Sequence, residues 1–127
     1  MLSYADSSFL VSCYILDAHT HDAQVYLKKA PATLAFTLLH QLEMRNAFEL
    51  GVFRRLLSSA DAAAAIKNLD DDLNARRLIP AVIRWPSAFR LAAGLSKLHT
   101  ATIGTRKLGL AACCGGAIAK GGSVRLL

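Results

Sequence analysis

The sequence predicts an α/β fold with a short, mainly parallel sheet and helices on both faces. Short apolar runs suited to strands alternate with longer stretches of helical period along most of the chain. The first such run, Leu2-Ser3-Tyr4-Ala5, ends in a single carboxylate, Asp6, followed by Ser7, Ser8 and an apolar stretch. An acid at a strand's exit is where open α/β proteins place their chemistry. The charge distribution limits what that acid can do: residues 1–72 hold all nine Asp and Glu, and residues 73–127 hold none.

Each element follows from local signals. After Asp6, Phe9-Leu10-Val11 with Tyr14-Ile15-Leu16 suits a short buried helix, with Ser7 or Ser8 near its N-terminus. Asp17 to Thr20 is expected to turn, and His21 to about Lys29 to form a second helix that Pro31 stops. Thr33 to Thr37 is the candidate second strand. A helix from about Leu38 to Leu50, closed by Gly51, puts Leu39, Glu43, Ala47 and Leu50 on one stripe. Ser58 with Asp61 fits a capping box, and Ala62, Ile66, Leu69 and Leu73 continue one face of a helix reaching about Arg76. Pro80 breaks that helix, Ala81-Val82-Ile83 is a short extended piece, and Pro86 opens a helix running to about Leu98. Beyond Arg106 the texture changes, because five of the eight glycines fall there together with Cys113-Cys114. Gly115 to Lys120 lacks the spacing, and the Ser or Thr after Lys, of a phosphate-binding loop.

At 127 residues the chain makes one domain, 1–127, large enough to bury a core. The start has no basic leader region, and the uncharged stretch Leu108 to Ala119 is too short to span a bilayer. No membrane association and a cytoplasmic location are therefore expected. Cys13, Cys113 and Cys114 fit neither a disulfide framework nor paired zinc spacing, and are expected as free thiols. The net charge of +6 divides into −3 over residues 1–72 and +9 over residues 73–127. Such a basic half either favours a phosphate backbone or is ordinary surface charge.

Asp6 at a strand end and Glu43 on a helix can converge at one edge of a parallel sheet. Two close carboxylates repel unless one is protonated or a cation lies between them. Mg²⁺ or Mn²⁺ is the natural cation, and metal-assisted phosphoryl hydrolysis the implied reaction. The alternative is structural: Asp6 caps the following helix, and Glu43 pairs with a base such as Arg45 or Lys67. His19-x-His21 suits an exposed turn better than a ligand pair. Asp70-Asp71-Asp72 suits a solvated helix flank, and Trp85 with Phe89 suits core packing better than stacking on a base.

Three segments in order, Tyr4-Ala5-Asp6-Ser7-Ser8, then Leu42-Glu43 with Ala47, then His99-Thr100-Ala101-Thr102-Ile103-Gly104-Thr105-Arg106, resemble successive landmarks of PIN domains. The resemblance covers residues 1–106. It implies an α/β/α nuclease like the VapC-like toxins of bacterial toxin-antitoxin pairs, in which three or four acids bind Mg²⁺ or Mn²⁺ and cleave RNA. Asp6 would be the first catalytic metal-binding acid and Glu43 the second, with Ser7 or Ser8 supporting the metal's water network. Thr105 and Arg106 would lie near the substrate, Arg106 touching phosphate or forming a structural ion pair. A cognate antitoxin and a homodimer are the partners implied besides RNA.

The chain departs from the family after Arg106. The family continues with a Ser-Leu-Asp-x-Leu-His-like segment whose Asp is the next metal acid, whereas Lys107-Leu108-Gly109-Leu110 offers Gly109. Codon degeneracy allows Lys107 to Gly116 to be read one base later as Ser-Leu-Asp-Leu-Leu-His-Val-Ala-Ala-Ala. The tail 107–127 is accordingly expected to be out of frame, to pack poorly, and to leave the fold without its last strand or strands. A natural tail that diverged is the alternative. Two other functional classes remain open on sequence alone: a non-catalytic, antitoxin-binding interaction protein, and an unrelated helical domain without parallel strand pairing at Tyr4 and Phe36.

Overall fold

The computed structural model describes residues 2–29, 33–100 and 124–126. In chain order the elements are β1 (Leu2–Tyr4), α1 (Ser7–Tyr14), α2 (Thr20–Lys29), β2 (Thr33–Phe36), α3 (Leu38–Phe53), α4 (Ser59–Asn74), β3 (Leu78–Pro80), α5 (Trp85–Leu95) and β4 (Val124–Leu126), with a π-helical turn at Ser96–Thr100. The strands form one parallel sheet in the order β3-β2-β1-β4. Leu2 and Ser3 lie opposite Thr33 and Leu34, which excludes the purely helical alternative.

Two hydrophobic layers clothe the sheet. On one face, Leu34, Phe36 and Leu78 pack with Leu10 of α1, Met44 and Phe48 of α3, and Ala62, Ala65 and Leu69 of α4. On the other, Tyr4 and Ala35 pack with Leu2, Leu39, Ala81 and Trp85, which joins them to α5. Alternate strand residues point to opposite faces, so both layers grow from the same short strands.

Several boundaries differ from those the sequence predicts. The third strand is Leu78–Pro80 and not Ala81–Ile83. Pro80 ends an edge strand, where its missing N–H costs no ladder bond, and the Ala81 N–H donates to the Phe36 carbonyl at 2.7 Å. The buried stripe of α3 is His40, Met44 and Phe48, one position on from the expected Leu39, Glu43 and Ala47. Val124–Leu126 pairs along Leu2, Ser3 and Tyr4, so the tail supplies a fourth strand where its loss was expected. The packing of residues 101–123, and with it the pairing of Cys113 and Cys114, lies outside the described residues. Cys13 is a free thiol, pushed up to about 11 by burial and by the neighbouring charges of Asp17 and Asp72, which makes it a poor nucleophile.

Neither long helix ends on glycine. Helix α3 runs past Gly51 and stops where Arg55 takes φ 58°, its N–H bonding the Val52 carbonyl while the Leu56 N–H returns to Gly51. Helix α4 repeats this with Arg76 at φ 56°, bonded to Leu73, and Arg77 bonded to Asp72. Both are Schellman ends with an L-residue in the left-handed position that glycine ordinarily fills. Left-handed backbone costs an L-residue ~1–2 kcal/mol, against ~0.5–1 kcal/mol of added chain entropy for glycine. Arg55→Gly and Arg76→Gly should therefore each raise stability by roughly 0.5–1 kcal/mol, measured by urea denaturation. A loss of stability in both would show that the arginine side chains outweigh the backbone strain.

Candidate active site

All four strands are parallel, so their carboxyl ends share one edge. Asp6 follows β1 there, Thr37 follows β2, and Ala81 follows β3. The connections from β1 to β2 and from β2 to β3 step the same way across the sheet, while β4 lies on the far side of β1. The strand order thus reverses beside β1, the position at which open α/β sheets form a ligand crevice. Asp6 stands at its mouth.

Asp6 is the N-cap of α1, with φ −65° and ψ 146°. Its Oδ2 accepts the Ser8 backbone N–H at 3.4 Å and also the Ser8 hydroxyl. The structural role expected for Asp6 is therefore real, and Ser8 is the hydroxyl that holds the carboxylate, while Ser7 is the first residue of α1. A carboxylate has about four acceptor positions, so capping leaves oxygen lone pairs available.

Glu43 lies on α3, exposed beside the buried stripe. Neither base expected to pair with it does so: Arg45 Nη2 reaches Asp70 at 2.9 Å, and Lys67 Nζ reaches Asp71 at 2.6 Å. Asp72 accepts from Arg77 and from the Tyr14 hydroxyl, both at 2.6 Å, and that bond together with burial pushes the Tyr14 phenol upward. Asp70 thus ties α4 to α3 and Asp72 ties it to α1, while Asp71 pairs with Lys67 on the exposed face of α4 itself, the solvated flank the sequence suggests.

The residue that joins the two candidate acids is one the sequence did not single out. His40 is fully buried at the third position of α3. Its Nδ1 accepts the Thr37 backbone N–H at 3.0 Å, which leaves the proton on Nε2, donated to the Ala5 carbonyl at 2.8 Å. His40 also takes the glutamate's place in a capping box, its own backbone N–H donating to Thr37 Oγ1 at 3.3 Å. Its ring lies 4.6 Å from Tyr4 and 5.7 Å from Phe36, centroid to centroid. Burial lowers its basicity below the ordinary 6.5, against the opposing pull of the Ala5 carbonyl and of the charges on Glu43 and Asp6. The ring thereby links the residue before Asp6 to the helix that carries Glu43. The sequence signal was Thr37-x-x-His40 at a helix start, hidden because histidine is not the usual partner in that box.

A cleft of about 460 Å³ opens between α1 and α2 beside Asp6, lined also by Ser8, Ser12, His19, Asp22 and Tyr26. The sequence left His19 in an exposed turn and gave Asp22 no part; the structure brings both to the wall that holds Asp6. His21, exposed on α2, does not join them. Asp17 is held ionised by bonds from Ser12, the His19 backbone and Thr20, which fix the turn that carries His19. Thr105 and Arg106 lie outside the described residues.

The donors at this edge are carboxylates and hydroxyls, the hard oxygen ligands that suit Mg²⁺ or Mn²⁺ and not zinc. Among the described residues no group of three or more His, Cys, Asp or Glu side chains is assembled that could hold a metal ion. Mg²⁺ commonly uses one or two protein carboxylates and takes its remaining ligands from water and substrate phosphate, so the pair fits in kind and lies at the lower limit in number. No helix among the described residues is long and apolar enough to cross a membrane. No protein-family model matches the chain, and no curated protein matches it.

The His40 bonds make a pH-dependent contribution of known sign. The folded state binds the His40 proton less readily than the unfolded chain, so stability falls as pH drops through 6.5 toward the lower folded value, and is regained above it. In His40→Gln this step should vanish, since the amide has no proton to gain. His40→Ala should lose about 3 kcal/mol at neutral pH, from two buried bonds and a cavity. Thermal unfolding between pH 5 and 8 checks both, and an equal acid loss in wild type and His40→Gln would place the step elsewhere.

Proposed function

We propose that the chain is a metal-dependent endoribonuclease of the PIN type, hydrolysing RNA phosphodiesters with Mg²⁺ or Mn²⁺ bound by Asp6 and Glu43. The observation that supports this most is the His40 bond to the Ala5 carbonyl, which ties the helix carrying Glu43 to the residue before Asp6, at the carboxyl edge of a parallel sheet where the strand order reverses. Among the described residues neither acid is spent in an ion pair, whereas three other acids are. The basic balance of residues 73–127 suits a polyanionic substrate.

On this reading each residue has a bounded task. Asp6 and Glu43 supply carboxylate oxygen to the cation, which when bound polarises the phosphodiester and provides a nucleophilic water. Ser8 orients Asp6 through its hydroxyl and backbone N–H, and Ser7 stands next to it. His40 is a positioning residue: it ties the segment before Asp6 to the helix that carries Glu43, and its neutral state avoids a buried charge beside the site. Thr105 and Arg106 belong to the same reading as substrate contacts, with a cytoplasmic location, a cognate antitoxin and a homodimer as its setting.

The second reading, a non-catalytic interaction protein, draws on two observations. The described residues do not gather a third acid, and α3 leaves Leu38, Leu42 and Phe53 exposed at 71%, 69% and 84%. An out-of-frame tail from about Lys107, missing the later acids, would convert the first protein into the second.

The deciding assay measures cleavage of single-stranded RNA by the chain as it stands, and by a version carrying the Asp-containing frame from residue 107. The repaired form should cleave in Mg²⁺ or Mn²⁺ and stop in EDTA. Asp6→Asn and Glu43→Gln should each lower its rate on the order of a hundredfold, the pair together little more, because they act as one unit. Full activity in either variant would sink the nuclease reading, and intact binding without cleavage in the repaired form would establish the other.

A further inference from the structure

The carboxyl edge carries a second cleft, one strand further from Asp6. It encloses about 600 Å³ and is walled by Phe36, Leu38, Gln41, Asn74, Val82 and Trp85. Gln41 comes from the first turn of α3, Asn74 from the last residue of α4, and Trp85 from the start of α5. Three elements thus meet over the ends of β2 and β3, which gives the cleft a mostly apolar lining with two side-chain amides. Small-molecule and base sites have this composition: flat apolar walls with a few convergent polar groups.

The helix that brings Trp85 to the cleft is aromatic and basic beyond it. Phe89 lies 6.2 Å from Trp85, centroid to centroid, and is 70% exposed. A large aromatic in that state is not the core residue its sequence context suggests. Arg84 caps the start of α5 and Arg90 lies midway along it, both exposed, with Arg90 bonded to Ser87 at 3.3 Å, and α5 carries no acid. Aromatic faces beside arginines, with amides able to both donate and accept, form the combination that holds single-stranded nucleic acid: stacking takes the base, the amides read its edge, and the cations hold its phosphate. An acidic peptide could use the arginines but would leave the amide-lined cleft and the exposed ring without a role.

We propose that this cleft is a nucleobase subsite, in which an unpaired base of an RNA strand stacks on Trp85 and Phe89 with its edge against Gln41 and Asn74. It extends the nuclease reading, because the ends of β1 and β3 are two strand spacings apart, about 10 Å, within reach of a neighbouring nucleotide in one strand. Phosphate between the two positions would then face Asp6 and Glu43. The site is built for a splayed base, so duplex RNA is excluded from it.

Trp85 is the chain's single tryptophan, so its fluorescence reports on this cleft alone. The full chain is titrated in EDTA with short single-stranded homopolymers of A, C, G and U, single-stranded DNA and duplex RNA. Saturable quenching by at least one single strand, with none by duplex RNA, is expected. Phe89→Ala and Gln41→Ala, both at exposed positions, should weaken it about tenfold, with helical circular dichroism unchanged. No quenching by any single strand, or quenching that neither substitution alters, overturns the inference. Equal quenching by RNA and DNA supports the base subsite, since stacking and base-edge contacts need no 2′-hydroxyl. The readout needs neither metal nor cleavage: quenching without nuclease activity would leave the subsite standing while the catalytic reading fails, and cleavage without quenching would do the reverse.

Discussion

The hydrogen bond from His40 to the Ala5 carbonyl is the constraint on which the carboxyl edge depends. Ala5 is fully buried and has just left β1, and its carbonyl is the last backbone acceptor before Asp6. A buried carbonyl without a partner costs ~1–3 kcal/mol, and His40 supplies that partner from thirty-five residues away. The same ring satisfies the Thr37 N–H that begins α3, so one side chain closes two backbone ends at once. Loss of the ring would free the angle between β1's exit and α3, and with it the relation between Asp6 and Glu43.

The class of fold was legible because burial patterns repeat. Ala62, Leu69 and the Ser58–Asp61 box placed α4 correctly, since a capping box and a 3.6-residue stripe are both local signals. The phase of α3 was not legible, because Leu38, Leu42, Leu50 and Phe53 are apolar yet exposed, and an apolar count alone cannot say which stripe turns inward. His40 inverted the pattern further, a polar residue at the most buried position. The helix ends differ from the sequence reading for a related reason: the Schellman bonds at Arg55 and Arg76 are backbone bonds, which an L-residue makes at a cost in strain and without a glycine to mark the position.

Of the candidate site, the position of Asp6 was legible: it follows a strand in the structure as the sequence places it. Glu43 was placed on the wrong stripe, yet its neighbours Arg45 and Lys67 turn toward α4's own acids. Those pairs are at least partly exposed, and surface pairs contribute little stability. Their larger consequence is chemical: each base engaged by Asp70 or Asp71 is a base not neutralising Glu43. Among the described residues Glu43 is left without an ion-pair partner, which is how the triple-Asp run bears on a residue it does not touch.

The tail separates two requirements that sequence reasoning joined. A strand at the edge of a sheet is held chiefly by backbone bonds, which any non-proline residue can make, so Val124–Leu126 can pair along β1 whatever their evolutionary origin. A cation site has no such tolerance, because it needs carboxylates at fixed positions and residues 73–127 contain none. A shifted reading frame would therefore leave strand order and hydrophobic layers nearly intact while removing later acids outright. The presence of β4 thus shows that the tail pairs with β1 and says nothing in favour of complete chemistry. On the proposed reading, the first half of the chain carries the cation ligands and the second half the affinity for a polyanion, so damage to the tail would abolish cleavage before it abolished binding.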